Sequence, residues 1–127
     1  MELLFDSLAH PTLSGDWLGR GVDAGFEALN AELARTGYAH ACAVGLDGVE
    51  GYEHEAFAIA CSRYPRLLPI AGFNPISDAS PQALHALRDM GFRGLKLHPR
   101  FSRLTRRRGL LGPTLRAAGE SGLVVFL

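Results

Sequence analysis

The sequence predicts an α/β fold built on parallel strands, and three observations carry that expectation. Short apolar runs start near residues 3, 39, 67, 93 and 123, a spacing that leaves room for one helix between successive strands, as in βα units. Most of these runs are apolar on both faces, which suits strands covered by other layers. The segments between them carry apolar residues at helical spacing together with start and stop signals.

Strands are expected over 3–6, 39–45, 67–72, 92–98 and 123–127. Asp23 can cap a first helix whose Phe26, Leu29 and Leu33 form one stripe, with Gly37 ending it in the left-handed conformation. A second helix is expected over 51–64, with Phe57, Cys61 and Tyr64 inward and Pro65 as its stop. In the third, Ser80 is the N-cap and Pro81 the first helical residue, Leu84, Leu87 and Met90 share a face, and Gly91 follows the end. A fourth starts near Pro113 and closes at Ser121 and Gly122. Parallel neighbours need crossovers, so four helices should pack outside five sequential strands.

Composition narrows the function classes. The 127 residues are 47% apolar and 20% charged, which describes a chain with a core and, by length, one domain over 1–127 or a large piece of one. Thirteen basic residues balance thirteen acidic ones, so neither nucleic acid nor an anionic membrane is an expected partner. No apolar run approaches the roughly 20 residues of a membrane span. The opening residues hold Glu2 and Asp6 and no basic stretch, so no export signal is read and cytoplasmic residence is expected, with Cys42 and Cys61 reduced.

In parallel α/β folds, ligands bind at the carboxyl ends of the strands. Few polar residues fall there. The first strand leads into Asp6 and His10, with Asp6, Leu8 and His10 on one side if the chain stays extended. In the fourth, Leu95 and Leu97 should face the helices while Gly94, Lys96 and His98 face the other way. Lys96 is the single lysine among thirteen basic residues, and a lysine within a buried strand must pair or reach water. It could pair with Asp6 or orient an anionic substrate. His98, nearer the mouth, suits a substrate or acid-base role. Asp6, Lys96 and His98 are therefore the catalytic candidates, and Asn74, Arg100 and Trp17 the substrate-contact candidates.

Each has a plainer reading. Asp6 and Asn74 could shape turns, and Asn74 precedes Pro75. His10 could be a loop residue and Trp17 local packing. The run 100–108, with five arginines, could be a solvated loop or could attract a carboxylate or phosphate. His54 and His85 are expected on solvated helix surfaces. Gly19, Gly21 and Gly25 lie too far past the first strand to cradle a dinucleotide.

The opening D-x-x-x-H at Asp6 to His10, the Gly-Phe-Asn-Pro at 72–75, the Gly-Phe-Arg-Gly-Leu-Lys-Leu-His-Pro at 91–99 and the closing Gly-Leu-Val-Val-Phe-Leu together resemble the amidohydrolase-related family of metal-dependent hydrolases. The resemblance implies the first half of a TIM (β/α)8 barrel, with about five strands and four helices in sequential order. It implies a small polar or carboxylated substrate, hydrolysed or decarboxylated. Family members that use a metal carry His-x-His at the end of the first strand. The matching positions here are Leu8 and His10, so His10 is the one metal candidate and a zinc-type divalent cofactor would lack a ligand at Leu8.

Two readings of another kind stand beside this one. A half barrel leaves its first and fifth strands as open edges that could pair with a second copy, or the chain could be a truncated barrel without activity. A five-stranded receiver-like domain also fits the strand count, although its acidic residue after the third strand would here be Asn74.

Overall fold

The computed structural model describes residues 2–127. Five strands, β1 (Leu4–Ala9), β2 (Tyr38–Val44), β3 (Leu67–Gly72), β4 (Gly94–Lys96) and β5 (Val124–Phe126), alternate with four helices, α1 (Phe26–Thr36), α2 (His54–Ser62), α3 (Pro81–Asp89) and α4 (Leu111–Glu120). All pairings are parallel and the order is β1-β2-β3-β4-β5. The sheet is half of a barrel. A receiver-like fold has the order 2-1-3-4-5, so sequential order removes that alternative.

The caps behave as their chemistry requires. Ser80 Oγ accepts from Ala83 N–H, and Pro81 opens α3. Gly37 ends α1 at φ 82°, where a side chain would crowd the backbone. Asp23 does not cap α1. Its carboxylate accepts from Gly25 N–H and turns the chain just before the helix, whose N-cap is Gly25. Met90 also leaves its expected face. Leu84 and Leu87 are buried, but Met90 lies at the C-cap of α3 and is exposed. The arginine-rich run contains two 3-10 turns, Leu104–Arg106 and Arg108–Leu110, and α4 begins directly after them.

The helices cover one face only. Between them and the sheet lies the main core, which includes Leu33, Phe57, Leu84, Phe92, Leu95 and Leu97. A smaller cluster of Cys42, Val44 and Ile70, with Phe126 against it, lies on the opposite, inner face. That face opens as a groove of about 730 Å³ lined in part by Phe5, Leu68 and Val124.

β4 decides the placement of the candidates. Leu95 and Leu97 have no exposed surface, whereas Lys96 is half-buried and sits in register with Gly72 and Phe126. Gly94, on the same side, admits no side chain, because a Cβ would fall 2.5 Å from the Val124 carbonyl oxygen. β1 departs from expectation. Asp6 pairs with Ala41 but Ala9 with Ala43, so β1 has one more residue than β2 over this stretch and strict alternation of Asp6, Leu8 and His10 is lost.

The two faces of β4 should respond differently to truncation. Leu95→Ala is expected to cost about 2–5 kcal/mol in urea denaturation through transfer and cavity terms. Lys96→Ala, on the open face, should fall within about 0.5 kcal/mol of the parent, as ordinary surface changes do.

Candidate active site at the carboxyl ends of the strands

His10 follows β1 and is tied to the end of β2, its Nδ1 lying 2.9 Å from the Val44 carbonyl oxygen. A carbonyl only accepts, so the ring donates from Nδ1, and in the neutral imidazole the lone pair is then on Nε2. Trp17, from the loop after β1, stacks on this ring at 5.6 Å with 7° between planes. The two side chains line a small cavity together with Val44, Leu46, Val49 and Tyr52.

His98, just past β4, takes the complementary form. Phe101 N–H lies 3.4 Å from its Nδ1, a long contact that favours the tautomer with the proton on Nε2. The Phe101 ring stacks on it at 4.0 Å. Partial burial lowers the pKa of His98, and the charges of Lys96, Arg100 and His10 add to that push. One ring end can therefore accept a proton and the other donate a hydrogen bond, within a field set by Lys96 and Arg100.

Other candidates take structural positions. The only ion pair among the described residues joins Arg35 to Glu32 on α1, so of the two roles open to Lys96 the pairing with Asp6 does not form. Asp6 Oδ1 instead accepts from Leu8 N–H and shapes the irregular end of β1. Asn74 Oδ1 accepts from Ile76 N–H, the turn role open to it from the sequence. Its side chain lines an outer cavity of about 290 Å³ with Asp47, His54 and Asp78, on the helix side of the sheet. Arg100 is exposed beside His98.

Sequence reasoning missed Tyr52, and it placed His54 on a solvated surface. The Tyr52 hydroxyl accepts from Gly72 N–H at 3.0 Å and lies 2.8 Å from His54 Nδ1. Burial pushes the Tyr52 pKa up, keeping it a neutral phenol, and lowers that of His54. His54 is half-buried, edge-on to Tyr52 and Phe92. The Tyr52 ring fills the space where a side chain at Gly45 would be, and a Cβ on Gly72 would fall 2.5 Å from Asp47 N. Glycines closing two neighbouring strands were the readable sign of this close approach.

The donor set for a metal is thin. Residue 8 is a leucine, which has no lone pair to offer, and among the described residues no group of three His, Cys, Asp or Glu side chains converges on one point. These residues do not fit a zinc-type site, which needs three or four protein ligands.

Removing the Tyr52 hydroxyl tests the support beneath β3. Tyr52→Phe leaves Gly72 N–H without its partner and should cost about 1–3 kcal/mol of stability. His54 adds a pH dependence. The unfolded chain takes up this proton near about pH 6.5 while the folded chain resists until lower pH, so its contribution makes stability fall as pH drops below about 6.5. Melting temperatures of the parent and His54→Gln between pH 5 and about 8 should show a shallower slope for the variant.

Comparison with known proteins bears on this arrangement. No curated protein matches the sequence. Two solved structures share the fold. One is a probable 2-pyrone-4,6-dicarboxylic acid hydrolase from Acinetobacter baumannii with citric acid bound, at 19% identity and a TM-score of 0.69, matching 98% of this chain and 48% of that one. The other is a Pseudomonas putida protein provisionally given the same activity, at 18% identity and a TM-score of 0.57, matching 98% of this chain and 56% of that one. The chain thus spans about half the length of these structures, at an identity that speaks for fold alone. A family model described as Amidohydrolase matches residues 9–127. With that match over nearly its whole length, the half barrel and its rim of Lys96, His98 and His10 belong to the amidohydrolase family.

Proposed function

We propose that this chain carries part of a hydrolase site for a small carboxylated substrate with an ester or lactone bond, the class that includes pyrone dicarboxylates. The observation that supports the reading is the surroundings of His98. It is flanked in sequence by Lys96 on β4 and by the exposed Arg100, and among the described residues neither cation has a salt-bridge partner, the one ion pair lying on α1. Cationic groups at a strand end without an internal counter-ion attract anions.

The roles follow from the chemistry. Lys96 and Arg100 hold the substrate carboxylates. The Nε2–H of His98 donates to the oxygen that gains charge as water adds to the carbonyl. The bare Nε2 of His10 takes the proton of that water and returns it to the leaving oxygen as the acyl carbon–oxygen bond breaks, giving the released hydroxyl and a carboxylic acid that ionises to solvent. Trp17 covers one side of His10, and Asp6 and Asn74 keep the backbone turns beneath the rim. No step is assigned to a metal, because the donors do not fit one. We assign the protein to the cytoplasm, which suits two unpaired, buried cysteines. Among the described residues no helix is long and apolar enough to cross a membrane.

A second reading has its own observation. Leu4 and Phe5 on β1 and Val124 on β5 are exposed on the two edge strands. Unpaired strand edges template further pairing, so a second copy could complete the barrel. Sedimentation velocity that shows a dimer favours this route to a closed site.

The hydrolase reading predicts turnover of 2-pyrone-4,6-dicarboxylate, followed by loss of the ring absorbance. His98→Ala, which removes the donor to the carbonyl oxygen, should lower kcat by about 10²–10³-fold. Arg100→Ala should chiefly raise KM, as loss of a contact made equally in ground and transition states does. Absence of both turnover and binding of pyrone dicarboxylate and citrate in the parent chain contradicts it.

A further inference from the structure

The loop between β1 and α1 is long for a βα connection, and it carries Trp17, the only tryptophan of the chain. Its base is closed by its own backbone, with Thr12 N–H donating to the Ala24 carbonyl and Ala24 N–H to that of Gly15. Its tip is held from elsewhere. The Glu50 carboxylate, in the loop after β2, accepts from Ser14 Oγ through Oε2 at 3.0 Å and from Leu18 N–H through Oε1 at 3.1 Å. These two contacts bracket Trp17 in sequence.

The backbone gives an independent sign. Leu18 and Glu50 both adopt left-handed conformations, at φ 53° and 48°, and they are two of only three non-glycine residues that do so among the described residues. Such conformations are unfavourable for residues with a Cβ and persist only where surrounding contacts hold them. Here the two strained residues stand at opposite ends of one hydrogen bond. Neither group needs the contact for solvation, since both lie near the surface and water could serve each. What the contact does secure is the loop segment that sets the Trp17 indole on the His10 imidazole.

We propose that Glu50 is a positioning residue, a strap whose carboxylate holds the tip of the β1–α1 loop so that Trp17 packs flat on His10. Its bearing on catalysis rests on the hydrolase reading, but the geometry stands without it. Glu50 touches neither ring. It acts through Ser14 and Leu18, and the stacked indole in turn limits the tilt of the imidazole bound to Val44.

The single tryptophan makes the strap measurable without any substrate. In the full chain, Glu50→Ala should raise the acrylamide quenching constant of Trp17 by about two-fold, as local release of a pinned loop does, and should red-shift its emission and weaken its near-ultraviolet dichroism. Far-ultraviolet dichroism should stay that of the parent. Glu50→Gln keeps a carbonyl oxygen that accepts from Leu18 N–H, and it should restore most of the parent signal. If Glu50→Ala fails to fold, Ser14→Ala, which removes one of the two contacts along with the bond that Ser14 Oγ accepts from Asp16 N–H, should give a smaller change of the same sign, and Ser14→Asn, which keeps a polar side chain there, a smaller one still. Trp17 signals equal to the parent's in Glu50→Ala, or in Ser14→Ala where that variant must be used, overturn the proposal. So does failure of Glu50→Gln to differ from Glu50→Ala. Because none of these readouts uses turnover, their failure leaves the hydrolase reading untouched, and an inactive parent enzyme leaves the strap untouched.

Discussion

Leu95 and Leu97 are both sealed from water against the helices, and the two-residue period of a strand then leaves Lys96 the opposite face. Burying two leucines gains far more than any surface contact of a lysine, so the hydrophobic term sets the orientation and the charge follows it. The same alternation puts Gly94 where β5 crosses closely and carries His98 toward the rim. Removing either leucine from the core would loosen the strand whose register presents the cationic groups. The site thus depends on packing behind it more than on any contact within it.

Much of this was readable from residues alone. β3 spans the expected 67–72, and Ser80, Pro81 and Gly37 act as their local chemistry dictates, because caps and turns depend on neighbours in sequence. The facing of Lys96 was legible for the same reason, since apolar alternation is local. What escaped was long-range. The Tyr52 hydroxyl meets Gly72 across twenty positions, and Glu50 meets Leu18 across thirty-two. Loop geometry decides such meetings, and no periodicity encodes it. Of the two roles open to Lys96, the pairing with Asp6 is not formed, and the added residue in β1 beside Asp6 is a feature that alternation in one strand cannot reveal, because it is defined against the partner strand.

The family match and the donor set point in different directions on metal. Residues 9–127 match the amidohydrolase model, yet among the described residues no three His, Cys, Asp or Glu side chains gather as a metal site would require. What the rim offers instead is two imidazoles held in opposite tautomers, with a lysine and an arginine beside one of them. That arrangement suits charge stabilisation and proton transfer by side chains. The inner face, lined by Val44, Ile70 and Phe126, lies open over a groove, and solved structures of the same fold are about twice as long.

The central claim is that Lys96 meets an anionic substrate on the open face. As the sole lysine, it can be dimethylated reductively with carbon-13, giving one side-chain resonance beside that of the amino terminus. Titration with citrate should move the Lys96 resonance in a saturable way and leave the amino-terminal one in place. A Lys96 resonance that stays fixed, or that moves only in step with the terminus, would contradict the account.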